Sequence, residues 1–413
     1  MSEKAKRVCM IAYTFYEKDG RVRLEAESLV NWGHEVFFLT PKAGKKARNY
    51  ELCGVNIVEL NVLKYRGKSK LGYLASHLRF MVLAFFACTS LFIKSRIHVI
   101  HVHNMPDVLV FSAIIPRLFG CKLVLDVHDS VPETYAAKFE SGSRFLFRLL
   151  SFEEWLCCAF VHRVICVNHV QRDALIERRI PAKKIATVIT MPTFAGKSEP
   201  RNLDPEKFRV VNHGTISKRL GIDLLVLAAD KLAKQIPGFE LHIIGAGDDW
   251  DEVARLTETM NLGATVKLHG AVAWDALPKA LSMMDAGIVA NRVNIATQLM
   301  LPSKLIDYVR LGIPAIVPRL KTIEYYFSPE MVVYFEPGDV DSIVAAITEL
   351  YRSPERRRQQ PVEAKKFIEI YNWSKNTELR DMYADLFETR RSTETGLSPS
   401  PKELGRASDV ASR

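Results

Sequence analysis

The sequence predicts an α/β protein made of two doubly wound, Rossmann-like domains facing each other across a cleft. Three observations carry this. Short apolar runs alternate with amphipathic helical patterns almost from end to end, which is how parallel sheets with helices on both faces read. The alternation stops at a polar, proline-containing stretch over residues 191–208 and then restarts. A chain of 413 residues also exceeds what one hydrophobic core usually serves.

In the first half, strands are expected at 7–13, 35–40, 97–103, 122–128 and 163–168, with helices over 22–33 and 108–120. In the second half, strands are expected at 209–214, 240–245, 265–270, 286–290, 314–318 and 332–336. Helices separate them over 221–235 and 250–260 and from Ser303, and a last one follows over 340–353. Gly312 and Pro314 end the helix that starts at Ser303 and lead into the next strand. The expected domains are 1–193 and 194–375, with a helix over 376–390 returning to the first domain. The polar, Ser- and Pro-containing tail over 391–413 is expected to be disordered.

The net charge of +10 is unevenly placed. Through Gly196 there are 28 Lys+Arg against 17 Asp+Glu, a net +11, whereas the remainder holds 29 against 30. A basic half-protein suits an anionic partner. Nucleic acid is disfavoured, because no helix-turn-helix, zinc-finger or stacking-aromatic pattern accompanies the charge. The seven cysteines lack paired spacing, which suits free thiols in a reducing compartment. The N-terminus turns into a strand too soon for a signal peptide.

The longest apolar stretch, 79–94, has an uncharged core of about 14 residues, short of the roughly 20 that a membrane span needs. It reads as a helix buried against a sheet, with a helix lying on a membrane surface as the alternative. Segment 143–163 mixes Arg144 and Arg148 with Phe, Leu and Trp and suits the same surface.

Several polar groups fall where strands end, which is where ligands bind in such sheets. After the first strand of the second half come Gly214, Lys218 and Arg219, then Gly221 before a helix. A basic turn next to helix N-terminal amides favours phosphate. Ser303 and Lys304 open another helix, and Asp307 lies one turn on. A capping box would place its acid at Ile306, so Asp307 is not there to cap. Two such anion-binding features suit a nucleoside diphosphate, with Asp307 free to accept from ribose hydroxyls. The competing reading is an exposed Lys304–Asp307 ion pair of about 0.3–0.5 kcal/mol.

Gly245 begins a glycine turn that fails the dinucleotide fingerprint, since Trp250 stands at its third glycine position, so a nicotinamide cofactor is disfavoured. In the first half, Asp126, His128, Asp129 and Glu133 cluster at a strand end. Asp19, Gly20 and Arg21 precede a helix on the same side. His101 and His103 alternate along one strand, followed by Asp107, and read as structural rather than zinc-binding for want of a matching Cys or second His pair.

Together these residues resemble the family 4 glycosyltransferases of the GT-B type over nearly all of 7–390. The most specific elements are HGTISKRLGIDLL, LPSKLIDYVRLGIPAI and YFEPGD, in that order, joined by DGRVRLEAESLVNWGHEV and LVLDVHDSVPE in the first half. The resemblance implies retaining transfer of a sugar from a nucleotide-diphosphate donor, with no cofactor and no metal. It implies that Arg219 and Lys304 hold the diphosphate, that Asp307 takes the ribose position and that His128 contacts the donor sugar. Gly214, Lys218, Gly245, Val272 and Ser303 complete the donor side, and Asp19, Gly20, Arg21, Asp129 and Glu133 the acceptor side. Three positions depart from the family pattern. Asp307 replaces its usual Glu, an earlier family Glu falls on Leu299, and 16–20 replaces its two-glycine loop.

Charge and apolar helices together suggest a glycan or lipid-linked acceptor and a peripheral position on the cytoplasmic face of an anionic membrane. A sugar-nucleotide epimerase on the same fold and an inactive nucleotide-sugar-binding subunit are the rival readings.

Overall fold

A computed structural model of the chain describes residues 5–388 apart from 66, 68, 139–143, 190, 192–200, 274–275 and 374–376. The tail over 391–413, the boundary at 193/194 and much of the stretch between the domains lie outside the described residues.

The first sheet starts at β1 (Arg7–Ile11), buried from Val8 onward, and winds outward in both directions. One wing holds α1 (Gly20–Asn31), β2 (Glu35–Lys42), β3 (Asn49–Leu52), β4 (Val55–Leu63) and α2 (Lys70–Ser95). The other holds β5 (Val99–His103), α3 (Ile114–Leu118), β6 (Lys122–Val127), α4 (Val131–Lys138), α5 (Arg144–Phe160), β7 (Arg163–Cys166), α6 (His169–Glu177) and β8 (Ile185–Thr187). Strand order is β3-β4-β2-β1-β5-β6-β7-β8, parallel except for the β3–β4 pair.

The second sheet repeats the plan. Its first wing is β9 (Phe208–Thr215), α7 (Ile222–Ala233), β10 (Phe239–Ala246), α8 (Trp250–Thr259) and β11 (Val266–Gly270). After α9 (Leu277–Leu281) come β12 (Ala286–Ile288), α10 (Ser303–Arg310), β13 (Ala315–Pro318), α11 (Lys321–Tyr326), β14 (Val333–Phe335) and α12 (Val340–Arg352). The order β11-β10-β9-β12-β13-β14 is parallel throughout. Strand order reverses at β1/β5 and at β9/β12, and the crevice at such a reversal is where ligands bind.

Both sheets are covered on both faces, so their central strands are apolar almost without alternation. In the first, Cys9, Ile11, Ile100 and Val102 face α2 and α5 through Phe80, Ala84, Cys88 and Cys157. Val8, Met10 and Val99 face the opposite layer, Ala26 and Leu29 of α1 and Leu379 and Met382 of α14 (Glu378–Phe387). Helix α14 follows α13 (Pro354–Tyr371), so the chain crosses back from the second domain to the first. In the second sheet the Tyr308 hydroxyl donates to the Val211 carbonyl at 3.0 Å. Its ring lies over Gly287, where any Cβ would sit 2.5 Å from the ring.

The carboxyl edges of the two sheets meet. Asn168, just beyond β7, caps α6 by accepting from Gln171 N at 2.8 Å and donates to the Leu299 carbonyl, beyond β12, at 2.8 Å. Next to it, the Tyr326 hydroxyl of α11 accepts from His169 N at 2.8 Å.

Two expectations are corrected. The helix expected over 108–120 is a 3-10 segment, Asp107–Ala113, followed by the short α3. Pro116 has no N–H to bond back to Ser112, whose carbonyl instead takes the Cys88 thiol at 3.1 Å. The apolar helix expected to be buried is the 26-residue α2, and only one side of it is buried. Its start is set by Ser69, whose hydroxyl accepts from Gly72 N at 3.3 Å.

Candidate active site

The site in the second domain is built at the β9/β12 reversal. Strands β9 and β10 pair so closely that a Cβ on Gly245 would lie 1.8 Å from the Gly214 carbonyl oxygen. Gly245 is thus required by strand packing, and it lies within β10, which runs one residue past the expected strand. Gly214, at φ +103, has a different role. The nearest atom to a Cβ there would be Lys304 Cε at 3.7 Å, an ordinary contact, so the positive φ and not crowding is what calls for glycine beside Lys304.

Beyond Gly214 the chain forms a short 3-10 turn, Lys218–Leu220, and Gly221 at φ +67 starts α7. A Cβ on Gly221 would lie 2.1 Å from the Ala290 carbonyl, so the loops after β9 and β12 touch there. Arg292 N donates to the Arg219 carbonyl at 3.0 Å and Arg292 Nε to the Lys218 carbonyl at 3.1 Å, tying the same two loops. Lys218 N donates to Asp249 Oδ2 at 2.6 Å. The side-chain cations of Lys218 and Arg219 have no hydrogen bond or ion pair among the described residues.

Helix α10 starts after Pro302, with Ser303 exposed at its first position and Lys304 buried at its second. Lys304 Nζ donates to Asn212 Oδ1 at 3.1 Å, and Asn212 Nδ2 donates to the Ile288 carbonyl at 2.7 Å. Burial brings the Lys304 amine down to about 8. Asp307 is 2% exposed and burial pushes its carboxyl up to about 7. Its Oδ2 lies 3.5 Å from His213 Nε2, and burial, with Lys304 next, brings that imidazole down to about 3. The exposed Lys304–Asp307 pair is therefore not what forms. Both side chains are inside, and each turns to a polar residue of β9. Val272 lies beyond the edge strand β11, 37% exposed.

In the first domain β6 delivers Asp126 to the carboxyl edge with no exposure. Arg21 grips it with two bonds, Nε to Oδ2 at 2.9 Å and Nη2 to Oδ1 at 2.6 Å. His103 Nδ1 and His128 Nε2 lie 3.0 and 2.7 Å from the same Oδ2. Burial alone would raise the Asp126 carboxyl. Arg21, then His128 and His103, outweigh that and hold it well below the ordinary range. His128 is positioned further by its backbone N–H, which donates to Asn104 Oδ1 at 2.8 Å, and its side chain is 22% exposed. An ionised Asp126 thus orients a partly exposed imidazole.

Two acceptor-side expectations are corrected by burial. Arg21 points inward, where its guanidinium lies 2.6 Å from the Asp126 carboxylate and 3.2 Å from that of Glu25. Glu133 is likewise turned in, bonded to Ser130 and to Arg178, which also holds Glu154. Asp19 caps α1, accepting from Arg21 N at 3.2 Å and Val22 N at 3.4 Å. Gly20 and Asp129 are exposed, and the Asp129 carbonyl accepts from Asn104 Nδ2 at 2.7 Å.

Ligand atoms of Glu25, His101, His103 and Asp126 lie within 4.8 Å of one another. Arg21 already occupies both Asp126 oxygens and lies 3.2 Å from Glu25, so a fixed guanidinium takes the place a cation would need. His101 belongs to the core, its Nδ1 2.8 Å from the Tyr383 hydroxyl of α14. Asp107 is fully buried, as a structural residue would be.

Comparison with known proteins gives the family. Residues 21–189 match the family described as Glycosyltransferase Family 4, and residues 195–367 match Glycosyl transferases group 1. The chain is a family 4 glycosyltransferase. It is similar to the sulfoquinovosyl transferase SQD2 of Arabidopsis thaliana, 25% identical over 67% of this chain and 54% of that one. It also resembles the phosphatidylinositol N-acetylglucosaminyltransferase gpi3 subunit of Schizosaccharomyces pombe, 26% identical over 44% of this chain and 39% of that one. The glycosyltransferase thus spans about half or less of the length of these curated relatives.

Among solved structures, sucrose-phosphate synthase of Thermosynechococcus elongatus superposes with a TM-score of 0.73 at 18% identity, covering 92% of this chain and 99% of that one. The Anabaena protein HepE in complex with UDP does so at 0.64 and 14%, covering 92% and 100%. Both share the GT-B fold of two parallel-sheet α/β domains. In this glycosyltransferase, reasoning from the sequence alone missed Asn212 and His213, the partners of Lys304 and Asp307. Their signal was present as two adjacent polar residues inside an otherwise apolar strand.

Proposed function

We propose that this glycosyltransferase transfers a sugar, with retention at the anomeric carbon, from a nucleoside-diphosphate donor to a hydroxyl of a lipid-linked or growing glycan acceptor. The observation that carries the reading is a trio of cations, Lys218, Arg219 and Lys304, from two loops at one strand reversal, with no carboxylate paired to them among the described residues. In this reading Arg219 and Lys304 take the diphosphate, Gly214 lets it approach, and Ser303 and the first amides of α10 add donors. Asp307 lies on the ribose side and Val272 near the base.

Cleavage of the anomeric C–O bond leaves negative charge on the diphosphate, and the two cations stabilise that charge as it develops. The acceptor oxygen then bonds the same carbon from the same face, and its proton passes to the leaving phosphate oxygen. His128, held by Asp126, contacts the donor sugar from the other domain. The Anabaena structure named with UDP supports a nucleoside diphosphate, and the yeast relative named for phosphatidylinositol supports a lipid acceptor. The net +11 of residues 1–196 supports a peripheral position on the cytoplasmic face of an anionic membrane.

The test is a calorimetric panel of nucleoside diphosphates against the wild type and Arg219→Ala, followed by turnover of the matching sugar donors with and without acceptor. Binding of one diphosphate, lost in the variant, supports the reading. Equal affinity in both proteins removes the site, and full conversion of the donor without any acceptor favours an epimerase.

A further inference from the structure

The transfer site leaves one side of the first domain without a role. In α2 the inward positions Phe80, Ala84 and Cys88 enter the core, while Leu71, Leu74, Leu78, Val82 and Phe86 recur at helical spacing on the outside, 45–78% exposed. A helix on the surface of a globular protein normally shows water a polar face. Helix α5 does the same: Cys157 and Cys158 face the sheet, while Phe145, Leu149, Phe152 and Trp155 face out. Between them Leu118 and Phe119, at the end of α3, are 69% and 74% exposed. Both helices pack against the 3-10 segment Asp107–Ala113, so their outer sides are neighbours in one layer.

Among the described residues, the exposed charges of α2 and α5 are all basic. Helix α2 contains no carboxylate. Of the two in α5, Glu153 takes the Cys157 thiol at 3.3 Å and Glu154 is buried with Arg178. Arg79, Lys94, Arg144 and Arg148 are exposed among the apolar side chains. Arg79 makes no hydrogen bond or ion pair among the described residues, and it borders a cavity of about 310 Å³ that is also lined by Lys42, Asn61 and Ser76.

We infer that the outer side of α2, α3 and α5 is the face that seats this protein in an anionic lipid bilayer, with the apolar side chains in the acyl boundary and Arg79 at a lipid phosphate. The inference rests on the membrane reading above and names the face that reading lacks. Segment Leu71–Ser95 is long and apolar enough to cross a membrane. Its inner side is fixed in the core, however, so the helix lies along the bilayer rather than through it. Helix α2 begins just past the carboxyl end of β4, so its first exposed turns, Leu71 and Leu74, lie on the edge that carries the transfer site. A lipid-borne hydroxyl would therefore reach the cleft without leaving the membrane.

The experiment is flotation of the full chain with phosphatidylcholine vesicles, with and without phosphatidylglycerol, alongside calorimetry of nucleoside diphosphate binding. The wild type should partition onto the mixed vesicles. Leu74→Ser/Phe86→Ser/Phe152→Ser should lower partition at least tenfold without changing nucleotide affinity, and Arg79→Glu should lower it on the anionic vesicles alone. Brominated acyl chains should quench wild-type tryptophan fluorescence, and Trp155→Phe should lose most of that quenching. Vesicle binding that survives the triple substitution overturns this face while the membrane reading stands. A wild type that ignores all vesicles but binds nucleotide overturns both and leaves the transferase. Conversion of a dimer to a monomer by the triple substitution, with partition unchanged, assigns the face to a second copy and overturns the inference.

Discussion

Lys304 Nζ lies 3.1 Å from Asn212 Oδ1 inside the second domain, and among the described residues no carboxylate pairs with this amine. A buried cation with only a neutral acceptor is destabilising until an anion arrives. The folded amine titrates near 8, below its ordinary 10.5. Its contribution to stability is therefore present above about 10.5 and lost as pH falls through 8. At pH 7, Lys304→Met should raise the Tm of the ligand-free protein. The same substitution should weaken nucleoside diphosphate binding about 10–100-fold, since a hydrogen bond to a charged group contributes about 1.5–3 kcal/mol. Thermal melts and calorimetry on one preparation check both signs.

Donor affinity should follow the charge on that amine. Below pH 8 it should be nearly flat, and above it should fall by about tenfold per pH unit, because binding must then take up a proton. Lys304→Arg, charged throughout, should flatten the profile whatever its absolute affinity. Calorimetry between about pH 6.5 and 9.5 reads the slope. A wild-type slope that persists in the Arg variant would reject Lys304 as its source.

Asp307 carries the opposite linkage. Burial raises its carboxyl from 3.8 to about 7, so its contribution to stability is complete below about 3.8 and is lost as pH rises through 7. Asp307→Asn should therefore raise Tm at pH 8 relative to the wild type, and much less at pH 5. For a domain of this size the shift is about 2–4 °C per kcal/mol recovered. Equal shifts at the two pH values would show that the side chain does not titrate in this window.

Asp126 and His128 should separate stability from catalysis. Asp126→Asn leaves Arg21 buried without its full counter-charge, which costs about 3–5 kcal/mol in urea unfolding. His128→Ala, at a partly exposed side chain, should change stability far less while lowering kcat. If both variants lost stability equally, His128 would be a structural member of the network.

Arg219→Ala should leave Tm within a degree or two, because its side chain touches no partner among the described residues and such substitutions change stability by about 0.5 kcal/mol or less. The loss should appear in nucleotide affinity alone, of the order of 10–100-fold for one charged phosphate contact.

Much of this was legible in the amino-acid order. The period of the apolar residues placed five strands of the first sheet and all six of the second, because a strand buried on both faces has few other ways to be written. It did not place β3, β4 or β8: β3 alternates between exposed and half-buried residues, β4 alternates buried with half-buried ones, and β8 is three residues long. The basic turn at Lys218 and Arg219 was legible because cations next to a helix start are a local pattern. The run over 108–120 was misread because its apolar period is helical, whereas Pro116 and the tie from Ser112 to Cys88 redirect the backbone. Arg21 and Glu133 were misread for another reason. Their counter-charges, Asp126 and Arg178, lie far along the chain, and local spacing cannot report a partner that distant.

By itself the sequence determined two doubly wound sheets, most of their strands, a basic first half, and the loops on which the donor-side residues lie. Only tertiary structure decided that Lys304 and Asp307 are buried and turn to Asn212 and His213, and that the outer side of α2 stays uncovered. Periodicity says which residues share a face of one element. Whether that face meets a core, a counter-charge or water depends on the other elements packed against it.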